Sequence, residues 1–297
     1  MKILLTGANG QLGTELQRLV PGDVQLLALS SQQLDITNAA QVQALMQQHQ
    51  PAVIINAAAY TQVDKAESES ERAWAVNQQG VANLVSATGA NTRLLHISTD
   101  FVFDGRSQTP YATTATPNPL SVYGKSKWAG EQVLLAKAPQ RSCIVRTAWL
   151  YSAGSKNFLN TMLQLLENRD SVRVVNDQRG TPTSAASLAE ALWRVVQKPQ
   201  VQGILHWTDA GETTWYGFAC EIQRLGLKHG LLSKQVPIQP ITTSEYPTPA
   251  QRPAYSVLEK EGTFAALGLR GLSWQESLEK VIRQRAAVPG KMQQQID

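Results

Sequence analysis

The chain has 297 residues, a formal net charge of +4, 17% charged side chains and 42% hydrophobic residues. This length allows one large α/β domain or two modest ones, and the apolar fraction is that of a folded globular protein, which excludes disordered and collagen-like chains. Lysine and arginine outnumber aspartate and glutamate by only 11 to 10 in residues 1–150 and 16 to 13 in the rest, so no basic patch predicts a nucleic-acid partner.

Short apolar runs alternate along the chain with longer segments of helical period, which is the pattern of βαβ units around a parallel sheet. The predicted strands are residues 2–6, 24–29, 53–56, 93–98, 142–147 and 172–175. The predicted helices are residues 11–20, 39–48, 67–89, 121–136 and 158–168. Six strands in this rhythm predict an α/β fold with a Rossmann-type, doubly wound parallel sheet and right-handed crossovers.

The alternation weakens from about residue 148, and the later chain has a proline-rich stretch at 237–253 and two helical patterns at 215–225 and 274–285. We interpret this part as a smaller C-terminal α/β lobe that completes a cleft over the carboxyl ends of the strands, where a substrate would bind. The predicted division places residues 1–147 and about 171–199 in the nucleotide-binding domain. Residues 148–170 and about 200–297 form the predicted substrate lobe.

A glycine-rich loop follows the first predicted strand directly and opens the first predicted helix. Gly7, Gly10 and Gly13 have the spacing needed where a backbone turns sharply, approaches a pyrophosphate and packs a helix on a strand. The helix N-terminus adds free N–H groups and a partial positive charge. We therefore predict a dinucleotide site here, with a purely structural turn as the alternative.

The second predicted strand ends at Ser30-Ser31, where sites selective for NADH usually have an acidic residue that binds the ribose 2′-hydroxyl. Without that carboxylate a 2′-phosphate is not repelled, so NADPH is favoured or tolerated. No arginine follows, and a site that accepts both cofactors remains open. The next acid, Asp35, either meets the adenine amino group or N-caps the following helix.

Tyr123 and Lys127 are four residues apart on a predicted helix, which places both side chains on one face. An ammonium beside a phenol favours the phenolate, so we expect Lys127 to lower the pKa of Tyr123 and make it an acid or base. Thr99 lies at the end of the fourth predicted strand, at the sheet edge where such folds bind ligands. Its hydroxyl is expected to bind a substrate carbonyl beside Tyr123.

Cys143 and Cys220 are far apart and lack metal-site spacing, so both are interpreted as small apolar residues of a protein in a reducing compartment. The apolar start of the chain is too short for a signal peptide, and no run approaches the ~18 apolar residues of a membrane span. We expect a cytoplasmic protein without a membrane partner. The four histidines are solitary, so no catalytic metal is expected. A structural divalent cation at an interface, for example at Glu15 or Glu190, is left open, and so is a homodimer.

Taken together, these residues resemble the extended short-chain dehydrogenase/reductase (SDR) family over essentially the whole chain. Further stretches are similar to its dTDP-4-dehydrorhamnose reductase subfamily; they lie at residues 56–67, 98–105, 146–149, 176–183 and 246–253. Two positions depart from the usual patterns, because Ser30 replaces an acid of the wider family and Tyr255 replaces an asparagine of the subfamily.

The resemblance implies reduction of the C4 ketone of a dTDP-sugar by NADPH or NADH, in the synthesis of dTDP-rhamnose as a precursor of cell-surface polysaccharide. It implies that Tyr123 donates the proton, Lys127 binds the nicotinamide ribose and tunes the tyrosine, and Thr99 holds the carbonyl oxygen. The implied cofactor-binding residues, in addition to Tyr123 and Lys127, are Gly7, Gly10, Gln11, Leu12, Gly13, Ser30, Asp35, Ile36, Ala58, Ala59 and Tyr60. The implied substrate-binding residues are Thr99, Asp100, Trp149 and Arg252.

Two alternatives belong to other classes. A nucleotide-sugar dehydratase or epimerase would be expected to have a basic glutamate after Thr99-Asp100, where this chain has Phe101. A non-catalytic, NADP-binding regulatory subunit, like the partner of methionine adenosyltransferase, would not need Thr99, Tyr123 and Lys127. The sequence does not distinguish dTDP from UDP as the nucleotide.

Overall fold

The computed structural model describes residues 1–287, and a six-stranded parallel sheet forms its centre. Its strands are β1 Lys2–Thr6, β2 Gln25–Leu29, β3 Val53–Asn56, β4 Arg93–Thr99, β5 Ser142–Thr147 and β10 Gly203–His206. They are arranged in the order β10-β5-β4-β3-β1-β2. The strand order reverses beside β1, and ligands of open α/β sheets bind at such a switch point. The predicted Rossmann-type fold is confirmed.

The remaining strands form three two-stranded sheets outside the central sheet. These strands are β6 Leu150–Tyr151, β7 Val172–Val175, β8 Arg179–Gly180, β9 Thr183–Ser184, β11 Thr213–Thr214 and β12 Ile238–Ile241. The helices are α1 Gln11–Arg18, α2 Ala39–His49, α3 Val63–Ala66, α4 Ser70–Trp74, α5 Gly80–Ala87, α6 Val122–Lys137, α7 Phe158–Asn168, α8 Ala185–Gln197, α9 Trp215–Lys228, α10 Glu261–Leu267 and α11 Trp274–Ala286.

Both faces of the central sheet are covered, because successive strand residues point to opposite sides. Ile3 and Leu5 of β1 pack into one apolar cluster with residues of α1 and α8, whereas Leu4 packs into a second cluster with residues of α2, α5 and α6. A third cluster joins α7, α9 and α11 in the later part of the chain. The central sheet is therefore buried on both faces, as parallel sheets are.

The prediction for the sixth strand of this sheet was wrong. Val172–Val175 pairs instead with Ile238–Ile241 in a separate two-stranded sheet, and Gly203–His206 pairs with β5. Arg173 is exposed in the middle of β7, which suits a half-exposed strand and not a strand buried on both faces. The true sixth strand was missed because its four residues include a glycine and a histidine.

The division into a nucleotide-binding domain and a substrate lobe stays a prediction. The strand pairings place residues 203–206 in the central sheet and residues 172–175 outside it, which differs from the predicted boundaries at both segments.

The predicted helices are present, with one internal difference. The segment predicted as one helix over 67–89 consists of α4, a π-helical turn at Ala75–Gln79 and α5. Helices α3, α8 and α10 were not predicted. No helix within residues 1–287 is long and apolar enough to cross a membrane.

Candidate active site

The glycine-rich loop between β1 and α1 is closed by its own backbone and by the neighbouring chain. Gly7 has a φ of 72°, and a Cβ there would lie 2.7 Å from the Ala57 carbonyl group. A Cβ on Gly13 would lie 2.3 Å from the Gly7 carbonyl oxygen. Only glycine fits either position, and the sharp turn leaves the start of α1 open toward the carboxyl edge of the sheet.

The start of α1 has no side-chain cap. Gly10 is its N-cap residue and supplies no side-chain acceptor, so the first N–H groups of the helix, from Gln11 onward, have no partner within the helix. Such a terminus binds phosphate groups. This loop offers free N–H groups to an anion, and contact of Gly7, Gly10, Gln11, Leu12 and Gly13 with a cofactor diphosphate stays a prediction.

The end of β2 carries no acidic side chain. Ser30 is buried, and its hydroxyl donates to the Gln33 side-chain oxygen over 2.9 Å. Asp35 is exposed and accepts from the backbone and the hydroxyl of Thr37, so it closes a turn. The N-cap of α2 is Asn38, which accepts from the Gln41 backbone. Of the two alternatives for Asp35, capping of this helix is therefore wrong, and contact with the adenine stays a prediction.

The chain after β3 is positioned by the π-helical turn. The Asn77 side chain accepts from the Tyr60 backbone N–H over 2.8 Å and donates to the Tyr60 carbonyl over 3.1 Å. Ala58 and Ala59, which precede Tyr60, remain partly exposed. Asn77 thus fixes the segment predicted to face the nicotinamide. The sequence did not predict this role, because a π-helical turn has no distinctive residue pattern.

Ile36, which the resemblance places near the adenine, has its side chain buried in the apolar cluster under α2 and α5. Its backbone carbonyl accepts from Asn83. Contact of Ile36 with a cofactor therefore stays a prediction.

Thr99 and Asp100 lie at the carboxyl end of β4 and are both buried. The Thr99 hydroxyl accepts from the Phe101 backbone N–H over 3.2 Å and donates to Asp100 Oδ1 over 3.0 Å. Asp100 Oδ2 is buried without a hydrogen-bond partner among the described residues. Burial raises the pKa of Asp100 to about 6, against the opposing effect of hydrogen bonds from Ser256 and Thr99.

Helix α6 brings Tyr123 to Thr99. Ser121 caps the helix by accepting from the Gly124 backbone N–H over 3.2 Å. A Cβ on Gly124 would lie 2.2 Å from the Phe101 carbonyl oxygen, so only glycine allows the helix to approach the turn after β4 this closely. The rings of Tyr123 and Phe101 pack edge to face, with centroids 5.5 Å apart.

The environment of Tyr123 keeps its phenol protonated. Burial raises the pKa of Tyr123 to about 12, and the Asp100 charge acts in the same direction, whereas the hydrogen bond with Thr99 acts against them. The expected lowering of this pKa by Lys127 is therefore not what the structure shows. Burial has the larger effect on the pKa, because the phenolate loses more stabilisation by water than it gains from neighbouring groups.

Lys127 lies one turn further along α6 and is buried. Its ammonium group donates to the Ile97 carbonyl over 2.6 Å, and its Nζ is 3.4 Å from His96 Nε2. Burial lowers the pKa of Lys127 to about 8, while the Glu131 charge raises it. The spacing argument thus placed Lys127 and Tyr123 on one helix face correctly, but the lysine is held by groups of β4.

Trp149 forms an aromatic platform at the start of the later part of the chain. Its backbone has a φ of 45°, which is rare for a bulky residue and marks a backbone strained by its surroundings. Its ring stacks on Trp215 with centroids 3.5 Å apart. Gly180 leaves room for this ring, because a Cβ there would lie 2.6 Å from it.

Arg252 is engaged by an acidic side chain of the motif that follows β3. Its guanidinium makes a bidentate ion pair with Asp64, with nitrogen–oxygen distances of 3.0 and 2.7 Å. The same hydrogen bonds from Arg252 hold the pKa of Asp64 below its usual value. Contact of Arg252 with a substrate diphosphate stays a prediction, and Asp64 is the partner that the sequence did not reveal.

Within residues 1–287, no group of three or more histidine, cysteine, aspartate or glutamate side chains is arranged to hold a metal ion.

Comparison with known proteins extends this picture over the whole described chain. The sequence model of the family described as "RmlD substrate binding domain" matches residues 1–287. A dTDP-4-dehydrorhamnose reductase from Aggregatibacter actinomycetemcomitans is 41% identical, with 94% of this chain and 98% of that protein covered. The crystal structure of a dTDP-4-dehydrorhamnose reductase from Clostridium acetobutylicum has a TM-score of 0.89 at 41% identity, covering 96% of this chain and 99% of that one. That of a dTDP-4-dehydrorhamnose reductase from Bacillus anthracis in complex with NADP has a TM-score of 0.89 at 35% identity, covering 95% and 99%.

Proposed function

Because the chain belongs to the RmlD substrate binding domain family, we propose that it is a dTDP-4-dehydrorhamnose reductase. The reaction is the NADPH- or NADH-dependent reduction of the C4 ketone of dTDP-4-dehydro-β-L-rhamnose to dTDP-β-L-rhamnose. The observation that carries this proposal is the buried Tyr123 phenol beside the Thr99 hydroxyl at the carboxyl end of β4. The names of the similar reductases, and the NADP held by one of them, support the choice of substrate and cofactor.

The loop between β1 and α1 would bind the cofactor diphosphate, and the nicotinamide would lie near Ala58 and Ala59. When bound, the reduced nicotinamide supplies a hydride to the carbonyl carbon. The residues of the chain hold the ketone and deliver the proton. Ser30 at the end of β2 leaves room for the 2′-phosphate of NADPH without a repelling carboxylate.

Tyr123 is suited to donate the proton because its raised pKa keeps the phenol protonated at neutral pH. A ketone oxygen that gains a hydride at its carbon becomes an alkoxide, which is a stronger base than phenolate. The phenol proton therefore moves to that oxygen, and the Tyr123 phenolate that remains lies one helical turn from Lys127 on α6. The base strength of the alkoxide drives the transfer, so no lowered phenol pKa is needed.

Thr99 is placed to stabilise the charge that develops on the same oxygen. Its hydroxyl has a single proton, which it donates to Asp100 in the structure. We propose that this proton turns to the ketone oxygen when substrate binds, because the alkoxide that develops there is a stronger acceptor than the Asp100 carboxylate.

The dehydratase and epimerase alternative is less well supported. Phe101 occupies the position where a ring-proton base would be expected, and its ring packs against Tyr123. The non-catalytic alternative gives no reason for a buried phenol, hydroxyl and ammonium to converge at a single sheet edge, each at a cost in desolvation.

The test mixes the purified protein with dTDP-4-dehydro-β-L-rhamnose and either NADPH or NADH and follows cofactor absorbance at matched concentrations. We expect ketone-dependent oxidation, with NADPH at least as effective as NADH. The UDP-linked ketone and a diastereomeric dTDP-4-keto-6-deoxyhexose serve as specificity controls. No oxidation above background with either cofactor would rule out the proposed activity.

A further inference from the structure

A chain of four buried polar side chains runs beneath the active site, and the proposed reaction does not yet use it. Thr6, Asn56 and His96 lie at or near the carboxyl ends of β1, β3 and β4, and Lys127 lies on α6. All four are at most 3% exposed. A buried polar group without a partner is costly, so the hydrogen bonds among these side chains must be mutually consistent.

The distances between neighbours are those of hydrogen bonds. Thr6 Oγ1 lies 2.6 Å from the Asn56 carboxamide and also accepts from the Ala58 backbone N–H over 3.3 Å. The other end of the Asn56 carboxamide lies 3.0 Å from His96 Nδ1. His96 Nε2 lies 3.4 Å from Lys127 Nζ. The chain thus begins at the segment proposed to face the nicotinamide and ends at the lysine beside Tyr123.

The ammonium group of Lys127 has donors only, so His96 Nε2 must accept from it. A neutral imidazole that accepts at Nε2 carries its proton on Nδ1, and that proton needs an acceptor. The Asn56 oxygen supplies it, because a half-turn of the carboxamide exchanges its two ends without changing the contacts. The Asn56 nitrogen then donates to Thr6 Oγ1, which already accepts from the Ala58 backbone N–H. This tautomer therefore pairs His96, Lys127 and Asn56, and it frees the Thr6 hydroxyl proton from Asn56.

We propose that His96 is a positioning residue for Lys127: its neutral imidazole accepts the lysine ammonium at Nε2, in a tautomer that Asn56 fixes. Burial and the neighbouring Lys127 charge both hold the pKa of His96 well below its ordinary value, which agrees with a neutral ring. The residue would keep Lys127 charged and aimed at the ribose and phenol side of the cleft. This role is a refinement that rests on the proposed reductase function.

The other charged groups around Lys127 are accounted for. On α6 itself, Glu131 favours the ammonium, and Tyr123 is protonated. Glu131 is in turn bound to Arg146 of β5, over 2.9 and 2.6 Å. Asp100 follows β4 and bonds Thr99. In β4, the neutral His96 ring and the Ile97 carbonyl are thus the two groups that accept from the Lys127 ammonium.

The first test needs no substrate. Nitrogen and proton NMR of the folded protein labelled at histidine, with His96 assigned by comparison with a His96→Gln variant, reads the tautomer directly. We expect a neutral ring from pH 6 to pH 9 with its proton on Nδ1 and an unprotonated Nε2. A proton on Nε2, or a charged ring at pH 7, would overturn the proposal whether or not the protein is a reductase.

The second test uses variants. His96→Phe removes both ring nitrogens, and we expect the alkaline fall in kcat/KM to move about one pH unit lower, because the ammonium loses an acceptor that favours its charged form. Binding of NADPH, measured by quenching of protein fluorescence, should weaken about tenfold at pH 8.5 and less at pH 6.5, where Lys127 stays charged. His96→Gln, whose side-chain oxygen is able to accept, should restore most of both properties.

His206→Phe is the matched control, since His206 is also a buried histidine at the end of a strand of the same sheet but binds the Glu259 carbonyl. The His206→Phe variant should leave the alkaline fall in kcat/KM at the pH of the parent protein. Circular dichroism and thermal unfolding verify that each variant is folded. An alkaline limb and NADPH affinity unchanged in a folded His96→Phe protein would contradict the proposal, and so would an equal shift in the control.

Discussion

At the scale of single residues, the site follows from what burial does to a phenol, an amine and a carboxylic acid. Tyr123 and Asp100 are both pushed toward their protonated forms, whereas Lys127 is pushed toward its neutral form. All three shifts favour the neutral form of the group, and perturbed pKa values of this kind cluster at functional sites. The sequence predicted Tyr123 and Lys127 from their spacing of four residues, and Thr99 from its place at the end of a predicted strand. Asn77, His96 and Asp64 were missed because their roles depend on contacts between distant segments.

Replacing Tyr123 with phenylalanine removes the proposed proton donor while keeping the ring that packs on Phe101. We expect kcat to fall ~10²-fold or more and the Kd for NADPH to stay within about twofold, because general acid catalysis typically contributes this much. Steady-state kinetics and fluorescence titration measure the two. Tyr246→Phe, at a tyrosine that is 60% exposed, is the control, and a Tyr123→Phe protein with an unchanged kcat would exclude this phenol as the acid.

The Thr99 hydroxyl is proposed to stabilise the developing alkoxide. Thr99→Val should lower kcat/KM by ~10²-fold, the usual cost of losing a single donor to an oxyanion. Thr99→Ser retains the hydroxyl and should stay within about tenfold of the parent protein. Because Thr99 also accepts from the Phe101 backbone, thermal unfolding is followed in parallel. Equal activities for the valine and serine variants would contradict the proposed role of the hydroxyl.

At the scale of elements, close backbone contacts determine which side chains meet. Helix α6 reaches the turn after β4 because Gly124 has no Cβ. The same helix packs on the π-helical turn because Gly130 has no Cβ; a Cβ there would lie 2.3 Å from the Asn77 carbonyl oxygen. The apolar pattern predicted most of these elements, and α7 was predicted at its observed bounds. It could not predict which short strand joins the sheet, since β7 and β10 are both four-residue runs whose pairing is set by distant partners.

A single methyl group at Gly124 should separate Tyr123 from Thr99. Its Cβ would collide with the Phe101 carbonyl at 2.2 Å, so Gly124→Ala should lower both the unfolding temperature and kcat. Gly262→Ala is a matched control inside helix α10, where a Cβ meets nothing within 4 Å. This control should be neutral or stabilise the protein by up to ~1 kcal/mol. The contact argument fails if the two variants behave alike in thermal unfolding and in turnover.

At the scale of the whole molecule, buried titratable groups link stability to pH. Asp209, which accepts from the Ser184 backbone at the start of α8, has its pKa raised to about 6, chiefly by burial. His206 has its pKa lowered to about 3, also chiefly by burial. Asp209, whose pKa is raised, stabilises the fold below about pH 4, and this contribution is lost as the pH rises through about 6. His206, whose pKa is lowered, has the opposite effect, because its contribution is lost as the pH falls through this range.

Asp209→Asn isolates the carboxylic acid from these opposing effects. Asparagine does not titrate, so the free energy of unfolding of the variant relative to the parent should rise between pH 4 and pH 7, by up to ~3 kcal/mol from the size of the pKa shift. Urea unfolding at several pH values measures this difference. A difference that stays constant with pH would mean that Asp209 titrates alike in the folded and unfolded chains.

The resemblance predicted from the sequence is confirmed for the family and the fold, because the matching motifs extend over nearly the whole chain. The parts that the sequence could not supply are the partners of its site residues: the acid that binds Arg252, the carbonyl that binds Lys127 and the tryptophan that stacks on Trp149. Each partner lies more than twenty residues away along the chain, and only the packed fold brings it close.

The central claim is that this site transfers a hydride to C4 of a dTDP-linked ketone, and it is tested most directly by following the hydride itself. The protein is incubated with dTDP-4-dehydro-β-L-rhamnose and NADPH carrying deuterium at the transferred position of the nicotinamide, and the sugar product is examined by NMR and mass spectrometry. We predict one deuterium, at C4, in a product with the rhamno configuration. Product without deuterium at C4, or deuterium at another carbon, would contradict the proposed reaction.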